Sequence, residues 1–227
     1  MEHGFTFLHA LPFPEHITTA VLVALLLVVF ALRVRPKLTD TEASLDPDDG
    51  FSARNIAEVV VEFINGLTEG VVGHHYERYV PLLASFFVFI LLANLIGLVP
   101  GFAPPTSNFN VTLGLGVISF LAYNYYGIRS AGLGGHLKHF MGPVLLLAPL
   151  MLIVELFSHS FRPISLGIRL FANMFADHEV VSIFTKLTKV GVPVIFYVLG
   201  AFVCVVQAFV FTMLSAIYIS LSVSHDH

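Results

Sequence analysis

Glu155, His159, Arg162, Arg169, Asn173 and Asp177 fall in one stretch, ELFSHSFRPISLGIRLFANMFADHE, from Glu155 to Glu179. On a helix at about 100° per residue they lie within roughly 40° of one line. Carboxylates and imidazoles take up and release protons, imidazole near neutral pH without help. Guanidinium stays protonated, so in an ion path it acts as a fixed positive charge and not as a relay. The remaining faces of this stretch carry Leu, Ile, Phe, Met, Ala and Ser. A charge at the centre of a bilayer costs about 2.5–3.5 kcal/mol, so such residues face a protein interior or a watery cavity. One polar stripe on an otherwise apolar helix suits a route for ions.

Each residue also has a plainer use. Arg169 can attract a passing carboxylate and block a direct proton leak, or it can snorkel to the interface or tie to Glu155. Arg162 precedes Pro163 and suits an interfacial anchor. Asp177 and Glu179 can carry protons or simply mark a water-exposed mouth. His178 projects away from the stripe and also suits a structural role. Gln207, a strongly polar side chain inside the last apolar run, fits a functional amide or a helix–helix hydrogen bond equally. The sequence contains no phosphate-binding Gly-rich loop, metal-ligand cluster or nucleophile arrangement, so a catalytic enzyme, a resident metal and a cofactor are not expected.

The elements that must position these residues are membrane helices. Hydrophobic residues make up 56% of the 227 and charged ones 11%, against about 25% charged in soluble domains. The expected fold is an all-α membrane protein in one domain, 1–227, with about five transmembrane helices and one interfacial amphipathic helix. Residues 1–16 read as an outer lead-in; His3, His9 and His16 there could gather a metal, although solvated histidines are the simpler reading. The first span covers 17–35 and reads as a retained helix, because no Lys or Arg precedes it. An acidic loop follows over 36–54. The segment 55–78 sets Asn55, Glu58, Glu62, Asn65 and Glu69 on one side and Val60, Phe63, Ile64, Leu67 and Val71 on another, fitting a helix at the membrane surface or against a partner.

A two-helix hairpin is expected over 80–128, with Asn94 in its first arm and Gly114 and Gly116 in its second. Residues 129–142 read as a Gly-rich connection. From 143 to 223 two overlong helices form a strongly inclined hairpin, the first either broken near Pro163 or tilted. Cys204 has no second cysteine to pair with. The net charge of −4 and the scattered Lys and Arg offer no face for nucleic acid. Arg33, Arg35, Lys37, Arg54, Arg78, Arg129 and Lys138 fall on one side, which places the N-terminus outside and the C-terminus in the cytoplasm; Lys186 and Lys189 run against that rule.

The run RPISLGIRLFANMFADHEVV, Gln207 in QAFVFTMLSAIYISLS, and ANLIGLVP in the second span closely resemble the a subunit of the F-type ATP synthase. The resemblance covers most of 80–221, and SLGIRLFANM is its most specific part. It implies a non-catalytic stator subunit that offers protons two aqueous half-channels to and from the carboxylates of a rotating c-subunit ring. It further implies b subunits and the rest of the synthase as partners, a lipid surround, no bound nucleotide, and a bacterial inner membrane as the simplest home. Arg169 matches the family's essential arginine, Asn173 and Gln207 the polar residues beside it, and Glu155 and Ser165 polar positions on the same helix, Glu155 in the outer half-channel. Many bacterial members carry Glu nine residues after the arginine and His seven before the glutamine. This chain has His178 and Gly200 there, so His178, with Asp177 or Glu179, is expected to replace the pair. A stand-alone ion-coupled transporter is the competing reading. It lacks the support of an internal repeat.

Overall fold

A computed structural model describes residues 14–39, 52–73, 75–99, 101–141, 148–188 and 191–223. Among them are six α-helices and no strand: α1 Glu15–Thr39, α2 Ala53–Val72, α3 Val80–Ile96, α4 Phe109–Met141, α5 Ala148–Leu187 and α6 Gly191–Val223. Glu15–Arg35, Phe109–Ser130 and Gly191–Val223 are long and apolar enough to cross a membrane, and α3 is a shorter apolar helix. The chain is an all-α membrane protein. The lead-in with His3 and His9, most of the acidic loop, residues 142–147 and Lys189 lie outside the described residues.

Several boundaries differ from those expected. Helix α2 starts behind Ser52, whose hydroxyl accepts from the Arg54 amide at 3.4 Å, and stops at Gly73 with φ +76°. Glycine takes that left-handed conformation without a Cβ penalty, and Tyr76–Arg78 then form a separate 3-10 turn. The expected Gly-rich connection over 129–142 is instead helical as far as Met141, with a kink at Gly132 (φ +71°, ψ 164°).

Helix α5 does not break at Pro163. An internal proline lacks the N–H of one helical bond, which ordinarily costs about 3 kcal/mol. Neighbouring helices in a membrane can support such a site, and α4 packs against it closely. A Cβ on Gly116 would collide with the Pro163 carbonyl oxygen. Reciprocally, a Cβ on Gly167 would stand 3.0 Å from the Leu113 Cα and 3.1 Å from the Thr112 carbonyl oxygen. The two backbones therefore meet where each helix lacks a side chain.

The core joins α2, α3, α4, α5 and α6 through Ile64, Leu83, Ile90, Tyr123, Leu170 and Phe211, all essentially buried. Phe86 meets Phe211 edge-on at 5.5 Å, tying α3 to α6, and Phe184 stacks on Phe196 at 4.2 Å where α5 and α6 meet near their connection. Polar ties fix the heights of the helices. The Thr106 hydroxyl donates to Asn94 Oδ1 at 2.7 Å, the Ser119 and Ser215 hydroxyls lie 2.8 Å apart, and the Ser220 hydroxyl donates to the Val71 carbonyl at 2.9 Å. Arg54, buried at the start of α2, donates from Nε to Glu58 at 2.6 Å.

The α4–α5 contact makes a testable contrast. Gly116→Ala should destabilise the fold by about 1–3 kcal/mol, because the methyl meets backbone that cannot move aside. Gly114→Ala, with nothing within 4 Å of its added Cβ, should be neutral or stabilising by about 0.5–1 kcal/mol. Thermal unfolding of the detergent-purified complex carrying each variant checks both.

Candidate ion path along α5 and α6

The stripe on α5 is divided among different neighbours. His159 is 7% exposed and packs against α4, with its ring 5.1 Å from Tyr123 and 5.0 Å from Phe120, both edge-on. Its Nε2 lies 2.9 Å from Asn124 Oδ1 and its Nδ1 3.2 Å from the Tyr123 hydroxyl. One turn on, Arg162 reaches back to Glu155 at 3.4 Å, with both side chains partly exposed. Its guanidinium carbon stands 5.3 Å from the Tyr218 ring centroid and 5.9 Å from that of Tyr123. A cation over an aromatic face is held by the ring quadrupole, so two tyrosines and one carboxylate place Arg162. The Ser222 hydroxyl, donating to the Tyr123 carbonyl at 3.0 Å, closes α6 onto the same cluster.

Arg169 is arranged differently. It is exposed and makes no hydrogen bond or ion pair with another described residue. One turn before and after it on the same face of α5, Ser165 and Asn173 are exposed as well. Of the alternatives for Arg169, the tie to Glu155 is not formed, and Glu155 is engaged instead by Arg162, two turns along α5. Just beyond Arg169, Asn173 Nδ2 donates to Gln207 Oε1 at 2.7 Å, joining α5 to the middle of α6.

Further along, Asp177 faces Gly200. A Cβ at Gly200 would stand 2.7 Å from Asp177 Oδ2 and 3.0 Å from Leu98 Cδ2, so the carboxylate fills space that a larger residue at 200 would need. A cavity of about 320 Å³ opens beside it, lined by Asp177, His178, Ser182, Thr185, Lys186 and Tyr197 among others. Of the three residues expected to share this place, Asp177 and His178 line the cavity, whereas Glu179 is exposed and outside it. Ser165 is also exposed and has no polar partner among the described residues.

Two polar clusters thus lie on either side of Arg169 along α5. The cluster of Glu155, His159 and Arg162 shares its end of the bundle with Tyr126, which stacks edge-on against Tyr79 at 4.8 Å next to Arg78, and with Arg129. The Asp177 cavity lies at the other end, with Gly97 and Leu98. Glu155 thus lies at the end that carries Arg78 and Arg129, so its expected outer placement and the expected orientation do not agree with one another.

Tyr123, Asn124 and Tyr218 were not singled out from the sequence. The run AYNYYG in the third span was the available signal, since so many polar rings and an amide inside a span need partners. Tyr218, three turns from Gln207 on the same face of α6, was another.

The profile of the ATP synthase A chain family matches residues 16–220. The chain is 47% identical over 212 residues to ATP synthase subunit a of Bdellovibrio bacteriovorus, covering 93% of each chain. It is 41% identical over 218 residues to the subunit a of Solibacter usitatus, covering 96% of this chain and 91% of that one. To a protein called ATP synthase subunit a 3 of Pelobacter propionicus it is 37% identical over the whole of both chains. The all-α fold and its apolar helices define an integral membrane protein. The chain belongs to the ATP synthase A chain family.

The contact of Asp177 with Gly200 predicts coupling between the two positions. Gly200→Ala alone should destabilise the complex by about 1–3 kcal/mol through overpacking. Removing the carboxylate as well, in Gly200→Ala with Asp177→Gly, should recover at least about 0.5 kcal/mol relative to additive single variants. A double-mutant cycle on thermal unfolding reads this directly.

Proposed function

We propose that the chain is the stator of the proton-translocating sector, with an aqueous half-channel at each end of α5 and Arg169 between them. As a member of its family it is a subunit of an F-type ATP synthase, an integral membrane protein that assembles with the rest of that complex. One observation carries the finer reading. Arg169 is on the exposed face of α5, without an internal partner among the described residues, while Asn173 is bonded to Gln207 and Glu155 is engaged by Arg162.

A permanently protonated guanidinium on such a face attracts a carboxylate presented by a neighbour and keeps it ionised. A ring of c subunits, each bringing one carboxylate, is the partner that this geometry serves. A proton arriving through one half-channel neutralises a carboxylate, which then leaves Arg169 and enters the apolar surround with the turning ring. A protonated carboxyl approaching from the other side gives up its proton to the second half-channel and meets Arg169 as the carboxylate. Because the guanidinium cannot deprotonate, protons cannot pass straight between the half-channels.

The remaining residues divide by position. Asp177 and His178 serve the cavity end, with Glu179 at its exposed rim; Glu155 and His159 serve the other end, with Ser165 on the exposed face of α5. Asn173 and Gln207 hold α5 and α6 together next to Arg169, so the guanidinium keeps its height relative to the ring. The basic residues support an orientation with the Glu155 end in the cytoplasm and the N-terminus outside, and a bacterial inner membrane is the home this reading gives it. The ring, the b subunits and lipid are the immediate surround. The chain itself carries out no bond chemistry on ATP. A proton crossing 100 mV releases about 2.3 kcal/mol, so several are needed for each ATP made elsewhere in the complex. A stand-alone transporter would function without the other subunits.

Arg169→Ala tests the proposal in inverted membrane vesicles, with assembly followed by co-purification of the c, b and soluble subunits. ATP-driven acidification should fall to background while assembly persists. Normal acidification by an assembled Arg169→Ala complex would remove Arg169 from the proton path. Full transport by the chain purified alone would restore the transporter reading.

A further inference from the structure

Asn94 is a fully buried amide on α3, and one of its two polar atoms has no protein partner among the described residues. The Thr106 hydroxyl donates to its Oδ1 at 2.7 Å, which leaves Nδ2 over. Turning the amide would let Nδ2 donate to the hydroxyl, but Oδ1 would then be the atom left over. A buried amide atom without a partner gives up its bonds to water for nothing in return. Internal water molecules ordinarily satisfy such atoms where polar space adjoins them.

Polar space does adjoin Asn94. Asn94 and Gly97, three residues apart, lie on one face of α3. Both meet the turn that leads into α4: Thr106 bonds to Asn94, and a Cβ on Gly97 would collide with Pro104. Gly97 and Leu98 also line the cavity beside Asp177. Asn94 therefore lies one turn of α3 inward from that cavity. Leu98 stands against Gly200 and Phe86 against Phe211, so α3 and α6 run antiparallel. That register sets Asn94 at the height of Cys204. It falls between Gly200, where the Asp177 carboxylate sits, and Gln207, which is bonded to Asn173.

We propose that Asn94 and Thr106 form a hydration site at the inner end of the Asp177 cavity. Asn94 Nδ2 donates to a water molecule, Thr106 holds the amide in place, and water in the cavity supplies the molecule's further partners. The inference rests on the half-channel reading above and adds to it how far water penetrates. Water held by Asn94 stands one turn nearer to the height of Asn173 and Gln207 than the cavity does. The aqueous path thereby approaches Arg169 without a further ionisable side chain. Neither Asn94 nor Thr106 changes its protonation; their part is to fix where the water oxygen lies. An amide serving only to tie α3 to the 105–107 turn would need the Thr106 bond alone.

The whole complex in lipid nanodiscs, imaged at a resolution that shows ordered water, tests the site without any variant. A water within about 3.2 Å of the end of the Asn94 amide turned away from Thr106 is the expected result. An amide end bonded to a neighbouring subunit, or one with no density beside it, would overturn the inference.

Pumping by inverted vesicles tests what the water does. Asn94→Leu keeps the volume and removes both polar atoms. Its ATP-driven acidification should fall by about tenfold or more, against about 100-fold or more for a group that itself transfers the proton. Asn94→Ser keeps a polar group with room for water and should pump within about threefold of the wild type. Co-purification of the c, b and soluble subunits shows that each variant assembles. An assembled Asn94→Leu complex that pumps within about twofold of the wild type removes this water from the path and sinks the inference. Arg169→Ala, measured alongside, separates the two levels. If it pumps normally while the water is present, the half-channel reading fails and the hydration site stands; if it is inactive while no water is found, only the hydration site fails.

Discussion

Gly116 and Gly167 let the backbones of α4 and α5 touch, and that contact sets the rotation of α5 about its own axis. Without side chains at the crossing, the helices approach until the Pro163 carbonyl lies against Gly116. The same closeness brings Tyr123 and Asn124 within hydrogen-bonding reach of His159, one turn away. Rotating α5 would carry His159 off its partners and Asn173 away from Gln207 together. In hydrocarbon each of those polar groups would then lack water as a substitute partner, which makes the loss costly. Packing and polar satisfaction therefore select the same orientation of α5.

That orientation divides the polar residues by function within the fold. Asn173 with Gln207, and Arg162 with Glu155 and two tyrosines, use their bonding capacity inside the chain. Arg169 does not. Asp177 occupies an intermediate position, with its carboxyl group over a glycine and beside a cavity. The pattern is graded along one helix: a satisfied cluster, an unspent charge, an amide bridge, then a carboxylate beside open space.

Much of this was legible from residue types. Hydropathy identified membrane helices because a spanning backbone has few other ways to satisfy its N–H and C=O groups. The angular alignment of Glu155, His159, Arg162, Arg169, Asn173 and Asp177 marked the polar face of α5, and SLGIRLFANM pointed to the family. A projection gives angle but says nothing of what lies opposite. It could not show that Glu155 meets Arg162 and not Arg169, nor that His159 turns into α4. The space above Gly200 belongs to Asp177 because α5 and α6 cross there, a fact of height along two helices. Over 129–142 four glycines suggested a connection; the interruption is confined to Gly132, whose dihedrals are non-helical, with helix on either side as far as Met141.

The unpaired Arg169 has a consequence for the subunit by itself. Facing lipid, a guanidinium near mid-bilayer carries a penalty of about 2.5–3.5 kcal/mol on insertion scales. Of the two carboxylates on the same stripe, Glu155 is engaged by Arg162 and Asp177 sits over Gly200, so neither meets Arg169. A neighbour bearing a carboxylate at the right depth removes the penalty on contact. On the stator reading proposed above, the lipid itself thus supplies a thermodynamic bias toward company, with the lone subunit as the strained species and an acidic neighbour as the relaxation.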